Sequence, residues 1–170
     1  MTRLRQWLID RSARRPADYV IGPAARPYLR RWWLIPRNRW FNVYLHQILR
    51  DDDDRALHDH PWCNASWVLA GGYVEHTIAA GGVHRRRARR AGSWTLRWPT
   101  AAHRLEVGAD GAWSLFLTGP VVREWGFHCP GGWTPWRRFT DPADDGLIGT
   151  AAARAANSEK RKNDRDDDWT

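Results

Sequence analysis

Cysteine, lysine and long apolar runs are scarce in this chain of 170 residues. No window approaches the roughly 18 consecutive apolar residues of a membrane-spanning helix, so we expect no membrane segment. The basic N-terminus lacks the apolar region of a secretory signal peptide. The two cysteines, Cys63 and Cys129, therefore favour reduced thiols and a cytoplasmic location.

The basic side chains are almost all arginine, with 25 arginines against two lysines. The formal net charge of +8 invites a nucleic-acid partner. The arginine bias and the abundant alanine are, however, more typical of a GC-rich coding sequence than of a phosphate-binding face. Residues 1–140 carry 22 basic and 11 acidic side chains, and residues 141–170 carry 5 and 8. The basic part is therefore the part that we expect to fold.

The chain fits one domain with two flanking segments. Residues 1–27 are predicted to form an N-terminal helix and arm, and residues 28–140 a β-barrel body. Residues 141–170 have little apolar periodicity and many small or charged side chains, which predicts a disordered charged tail with a short helical piece near 149–156.

The body divides into nine segments rich in strand-forming residues. They are 28–34, 40–49, 64–70, 73–78, 83–89, 93–98, 103–107, 113–119 and 121–128. Gly71-Gly72, Gly81-Gly82 and the stretch GADG at 108–111 are predicted turns between them. Many short strands at this spacing predict an all-β fold, an antiparallel barrel or sandwich.

Thirteen tryptophans are many for this length, and most lie between Trp32 and Trp136. Such large rings predict a dense core or a pocket lined by aromatic side chains. In the N-terminal helix, Leu4, Trp7 and Leu8 share one face, which we expect to dock on the domain rather than on a membrane.

Two histidines flank an aspartate in the stretch RALHDHPWCNASWVLAGGY, residues 55–73. In an extended segment residues two apart point to the same side, so His58 and His60 can bind one ion together. Two ligands are too few for a tight site, and a third must come from elsewhere in the sheet. The alternative is that these histidines are structural, hydrogen-bonded in the core or solvated on a loop.

The wider spacing resembles the two motifs of the cupin family, G(X)5HXH(X)3-4E(X)6G and G(X)5PXG(X)2H(X)3N. His58, His60 and Gly71 match the first motif, and Gly92 and His103 match the second. Positions that differ from the first motif are Asp52 at the opening glycine and Asn64 or Ala65 at the glutamate. In the second motif Pro99 is one place late, the inner glycine is absent, and Val107 stands at the final asparagine. The resemblance covers roughly residues 28–130.

This resemblance implies a double-stranded β-helix, or jelly-roll, barrel in which His58, His60 and His103 bind a divalent metal near the open end. The metal would be iron, zinc, manganese or nickel. Three histidines are sufficient and leave coordination positions for substrate, water or oxygen, as in cupin oxygenases of the thiol dioxygenase type. Glu75, on the next predicted strand, is a candidate carboxylate ligand, and its alternative is an ordinary outward position.

Further polar side chains are candidates for the same pocket. Tyr44 and His46 share one face of the segment 40–49, which either lines the barrel interior or faces solvent. The stretch REWGFHCPGGW, residues 123–133, is dense in polar and aromatic groups. Its candidates are Arg123, as an anion contact or the partner of Glu124, Trp125, as a substrate contact, and His128, as a general acid or base. The alternative for this stretch is a strand end and a turn.

The run HRRRARR, residues 84–90, carries arginine on both faces, which predicts an exposed edge strand. Its functional alternative is a phosphate or nucleic-acid surface. The run DDDD, residues 51–54, is a solvated loop or a site for a hard cation. Cys63 and Cys129 are small buried residues or, alternatively, soft ligands or reactive thiols.

Together these patterns predict a metal-dependent cupin enzyme that acts on a small molecule, an oxygenase of the three-histidine type or an isomerase. The catalytic candidates are Tyr44, Glu75 and His128, and the substrate-binding candidates are His46, Arg123 and Trp125. One alternative is a non-catalytic module that binds a sugar, a nucleotide or a small acid. Another is a nucleic-acid-associated or nucleotide-modifying protein. Cupins often pair through their sheets, so a homodimer is expected.

Overall fold

A computed structural model of the chain describes residues 3–22, 25–52 and 56–139. The predicted tail and its helical piece lie outside the described residues. The elements in chain order are α1 (Arg3–Ala13), β1 (Tyr19–Ile21), β2 (Leu29–Trp33), β3 (Asn42–Ile48), β4 (Leu57–His58), β5 (Asn64–Ala79), a 3-10 turn (Ala80–Gly82), β6 (Val83–Arg90), β7 (Trp94–Arg97), β8 (His103–Thr118), β9 (Gly126–Cys129), β10 (Gly132–Pro135) and α2 (Trp136–Phe139).

The described strands form one curled antiparallel sheet. Its path runs β1-β2-β3-β8-β4-β9-β10, and β5 pairs with β6, β7 and β8. The all-β class and the β-helix barrel are therefore confirmed, with α1 as the expected N-terminal helix. No helix in the described part of the chain has the length and apolar character needed to cross a bilayer.

The two longest strands each join segments that the sequence separates. Four predicted segments merge into two strands: 64–70 with 73–78, and 103–107 with 113–119. The predicted turns at Gly71-Gly72 and 108–111 are wrong, because the glycines bend the strands instead of reversing the chain. Gly71 and Gly111 have φ of +67° and +68°, and a Cβ on Gly71 would lie 2.2 Å from the carbonyl oxygen of Gly111. The two bends therefore face each other, and both require glycine.

The apolar core of the barrel lies at these bends. It consists of Leu29, Ile48, Val68, Tyr73, Leu105, Val107 and Ala112. Buried polar side chains lie farther along the long strands: Asn64, Ser66, Glu75, His103, Ser114 and Thr118. The barrel interior thus changes from apolar at the bends to polar toward the strand ends, where the candidate site residues are.

Helix α1 packs on the face of β3 that points away from the barrel core. Ile9 joins a second apolar cluster with Trp32, Leu45 and Leu69. Leu8 contacts this cluster, but Leu4 and Trp7 are each 57% exposed. The predicted docking face is therefore correct for Leu8 and wrong for Leu4 and Trp7, because the helix buries the adjacent face, which carries Ile9.

Most described tryptophans lie outside the core. Among the described tryptophans Trp32 alone is buried, whereas Trp94 is 58% and Trp98 73% exposed. Trp94 stacks on Trp67 with ring centroids 5.1 Å apart. Trp32, Trp67 and Trp113 pack in the second apolar cluster, and the other described tryptophans lie outside both core clusters. The predicted dense core therefore holds for these three rings alone.

Candidate metal centre

Three histidines from separate parts of the sequence converge at one end of the barrel. His58 ends β4 and is the Cα partner of His103, the first residue of β8. His60 follows two residues later, where its backbone N–H donates to the carbonyl oxygen of Pro99 at 3.0 Å. The pairing of β4 with β8 therefore brings the two motif segments together.

The three imidazole rings form a nearly equilateral triangle. Ring centroids are 5.0 Å apart for His58 and His103, 5.1 Å for His60 and His103, and 5.2 Å for His58 and His60. One nitrogen of each ring lies within 4.8 Å of the others. Nitrogens that share an ion at about 2.1 Å lie roughly 3–3.5 Å from one another, so modest ring rotations bring this cluster to a metal-binding geometry.

Burial keeps two of these imidazoles neutral. The pKa of His60 lies well below its usual value because the ring is buried, and the charges of His58 and Arg97 lower it further. Burial likewise lowers the pKa of His103, again with a contribution from Arg97. Nε2 of His60 and Nδ1 of His103 are buried and have no hydrogen-bond partner among the described residues. Neutral imidazoles with unpaired nitrogens fit a divalent ion such as zinc, iron, manganese or nickel.

A carboxylate stands behind His58. Oδ2 of Asp52 lies 3.8 Å from Nδ1 of His58 and accepts the backbone N–H of Leu105 at 2.7 Å. Burial raises the pKa of Tyr28 well above its usual value, and Asp52 adds to this. Asp52 and Asp51, the described half of the DDDD run, therefore anchor their loop on β8 through the backbone N–H groups of Leu105 and Val107. The separation of Asp52 from His58 is too long for a hydrogen bond.

Asp59, between the two motif histidines, points away from the cluster. It is 1% exposed and accepts hydrogen bonds from Nη1 of Arg123 at 2.7 Å, the N–H of Gly126 at 2.8 Å and Nε1 of Trp133 at 3.0 Å. Asp59 thus ties the His58–His60 segment to β9 and β10. Sequence reasoning missed this role, although the alternation that places the histidines together also turns Asp59 to the other face, where a buried carboxylate needs donors.

His128 and Arg123 belong to this second face of the sheet. Phe127, not His128, is the Cα partner of His58, and Nε2 of His128 lies 3.3 Å from Asp59. The expected ion pair between Arg123 and Glu124 is wrong, because Arg123 pairs with the buried Asp59. The acid–base role of His128 and the anion-binding role of Arg123 stay predictions.

Aromatic rings enclose the histidine triangle. Trp62 stacks on His60 with centroids 4.8 Å apart, and Phe116 lies 6.4 Å from His60. Phe127 and Trp125 lie 6.0 and 6.4 Å from His58. Such walls lower the local dielectric and strengthen charge interactions within the site. Trp125 is thus beside the site, and its contact with substrate stays a prediction.

Tyr44 and His46 face the barrel interior. They are 6% and 5% exposed, which excludes the solvent-facing alternative. His46 stacks between Tyr44 at 5.9 Å and Phe116 at 4.8 Å. Burial lowers the pKa of His46 well below its usual value, and the charges of Arg31 and His60 lower it further. His46 is therefore a neutral imidazole one ring away from the triangle, and the predicted roles of Tyr44 and His46 remain untested.

Glu75 lies apart from the histidine triangle. It is 3% exposed, so its outward alternative is wrong. The carboxylate accepts hydrogen bonds from Nε of Arg97 and Nε of Arg89, each at 2.7 Å. Arg97 also donates to Asn64, at the motif glutamate position, at 3.4 Å. Both carboxylate oxygens are thus occupied by arginine, and neither a ligand role nor a catalytic role gains support from this geometry.

The two cysteines and the arginine run lie outside the triangle. Cys63 and Cys129 are free thiols and half-buried. Among the described strands, β6 pairs with β5 alone and is the expected edge strand. Two of its arginines are in ion pairs, Arg86 with Glu106 and Arg89 with Glu75. A nucleic-acid surface stays a prediction.

Comparison with known proteins gives a likeness of fold. No protein-family model matches the chain, and no curated protein matches its sequence. A proposed mannose-6-phosphate isomerase of Ralstonia eutropha is 15% identical over 58% of this chain and 91% of its own, with a TM-score of 0.49. KdgF of a Halomonas species is 13% identical over 59% of this chain and 87% of its own, with a TM-score of 0.46.

Oxalate decarboxylase of Bacillus subtilis is a much longer chain. It is 11% identical over 65% of this chain and 28% of its own, with a TM-score of 0.46. The present chain thus spans little more than a quarter of that enzyme. The curled antiparallel sheet and the histidines at the motif positions confirm the resemblance that the sequence indicates, and the chain is a protein of the cupin fold.

Proposed function

We propose that this chain is a metal-dependent enzyme of the cupin type that acts on a small molecule, with one divalent ion held by His58, His60 and His103. The observation that carries the proposal is the triangle of three rings, in which buried nitrogens of His60 and His103 have no partner within the described part of the chain. An unpaired buried polar atom is costly, and a metal ion bound by all three rings removes that cost.

A divalent ion held by three neutral histidines keeps its full charge and has open positions, so it supplies Lewis-acid chemistry or, as iron, oxygen chemistry. The chain supplies the rest. Asp52 lies 3.8 Å from His58, the rings of Trp62, Phe116 and Phe127 exclude water, and Tyr44 and His46 supply polar groups on the interior wall. An oxygenase and an isomerase are the two reaction classes proposed for this site.

A non-catalytic binding module is the second candidate. Two of the three acid–base candidates have other partners: Glu75 is bound by two arginines, and His128 lies beside Asp59. A pocket with a metal and no free acid or base would bind a ligand without turning it over. The cytoplasmic location, the homodimer and the domain limits of 1–27, 28–140 and 141–170 also stay predictions.

Metal analysis by mass spectrometry of the untagged protein tests the proposal. We expect about one divalent ion per chain, a loss of most of it in His58→Ala and His103→Ala, and a rise in melting temperature on adding zinc to metal-free protein. His84→Ala is the matched control, since His84 is exposed and contacts His76 instead. Equal metal content in all three variants would rule out the triangle as the site.

A further inference from the structure

Arg31 is a cation on the inner face of the barrel, close to the proposed metal site. It lies on β2, where its Cα partner is His46, and His46 is in turn the partner of Ser114. Paired residues of neighbouring strands project to the same face of a sheet. Because His46 and Ser114 are both buried, Arg31 projects toward the same interior.

The guanidinium of Arg31 is fixed in orientation. Its Nε donates to Nε2 of His46 at 2.8 Å, so His46 carries its own proton on Nδ1. The guanidinium carbon lies 4.8 Å from the ring of Tyr44 and 5.6 Å from the ring of Tyr19. Two aromatic faces and one hydrogen bond therefore hold a planar cation in one position.

No carboxylate in the described part of the chain lies within ion-pair distance of Arg31. Arg97 and Arg123, which also reach buried positions, are paired with Glu75 and Asp59. Burial lowers the pKa of Arg31, as expected for a cation in an apolar setting without a counter-charge. Arg31 is half-buried, and a guanidinium that loses part of its hydration is costly unless an acceptor meets it.

The two Nη groups have the geometry for such an acceptor. With Nε already bound to His46, they present parallel N–H donors at the end of the fork, and a carboxylate or a phosphate accepts two such bonds at once. The ring of Phe116 lies 4.8 Å from His46 and 6.4 Å from His60. Phe116 thus lies beside both the ring that binds Arg31 and the histidine triangle, so Arg31 and the triangle are neighbours.

We infer that a small molecule with an oxyanion, a carboxylate or a phosphate, binds beside the histidine triangle and is held by Arg31 in the orientation set by His46. This inference rests on the proposed function in one respect, because the other end of the bound small molecule would reach the metal ion. Arg31 would then select negatively charged substrates, a role that the sequence analysis assigned to Arg123.

Ligand titration of the full-length protein tests the inference, with melting temperature and calorimetry as readouts. The probes are malonate, inorganic phosphate and, as the neutral control, malonamide. We expect one or both anions to bind and malonamide not to bind, and the better anion identifies the group. In Arg31→Gln the anion affinity falls about tenfold or more. Arg30→Gln is the matched control, because Arg30 is the exposed neighbour on the same strand, and it keeps the affinity of the unmodified protein.

The same titration on His58→Ala separates this inference from the metal proposal. Anion binding that survives in His58→Ala and fails in Arg31→Gln supports Arg31 whether or not the chain holds a metal. If Arg31→Gln does not fold, the Nε–H signal of Arg31 in the unmodified protein, followed by nitrogen-resolved NMR, shifts with malonate while that of Arg30 stays. Absence of binding by both anions, equal affinity in Arg31→Gln, or an unmoved Arg31 signal would overturn the inference.

Discussion

Replacing Asp59 by alanine tests whether the face opposite the histidines stabilises the site. The carboxylate is 1% exposed and accepts hydrogen bonds at 2.7–3.0 Å from Arg123, Gly126 and Trp133. In the alanine variant these donors lose their acceptor, and the guanidinium of Arg123 loses its counter-charge.

The magnitude follows from which donors can reach water. The N–H of Gly126 is buried, and leaving it unpaired costs about 1–3 kcal/mol. The side chain of Arg123 is 30% exposed, so water replaces part of its lost ion pair, and its share falls below the roughly 3–5 kcal/mol of a fully buried pair. We therefore expect Asp59→Ala to lower the free energy of unfolding by about 3–4 kcal/mol, which corresponds to a fall in melting temperature of roughly 6–16 °C.

Urea unfolding of the metal-free protein at pH 7.5 measures this loss. Asp59→Asn keeps an acceptor for Gly126 and should lose about half as much. Asp110→Ala, at an exposed position of β8, is the matched control and should change stability by no more than about 0.5 kcal/mol. A loss below about 1 kcal/mol in Asp59→Ala would refute the reasoning, because the three hydrogen bonds would then be no stronger than those with water.

Three further outcomes follow from the geometry. Glu75→Gln leaves two arginines without their shared carboxylate, and we expect a loss of about 3 kcal/mol in urea unfolding with metal content unchanged; metal loss without destabilisation would instead favour a ligand role. Gly71→Ala places a Cβ 2.2 Å from a backbone oxygen and should cost clearly more than Gly81→Ala, which has φ of +78° but no atom within 4 Å and should cost about 1–2 kcal/mol; equal costs would contradict the facing bends. In the metal-free protein the buried histidines with depressed pKa are His46, His60 and His103. Since the unfolded chain takes up these protons near pH 6.5 and the folded chain does not, stability should be constant above about pH 7 and fall on acidification, by up to about 1.4 kcal/mol per pH unit for each ring. A urea midpoint that is the same at pH 7.5 and 5.5 would show that these rings titrate normally.

The histidine triangle could be predicted from the sequence because its geometry depends on local periodicity and one motif spacing. Alternation places His58 and His60 on one side, and the spacing from Gly92 to His103 indicates the third ring. The strand composition likewise predicts β2, β3, β6 and β7 close to their observed limits.

Partner choice across the sheet was not accessible in the same way. Asp59, Glu75 and Arg31 each make contacts that join residues between 14 and 74 positions apart in sequence. Local composition does not specify such pairings. The glycine signals at Gly71 and Gly111 were also ambiguous, since positive φ serves a turn and a strand bend equally well.

The central place of β8, which pairs with β3, β4 and β5, has a kinetic consequence. His103 begins this strand, so the triangle closes only after contacts distant in sequence have formed, and such contacts are the slow steps of sheet assembly. An ion bound by the three histidines would therefore stabilise the folded barrel and not the states that precede it. It would slow the rate at which the barrel opens and leave the rate at which it first assembles nearly unchanged.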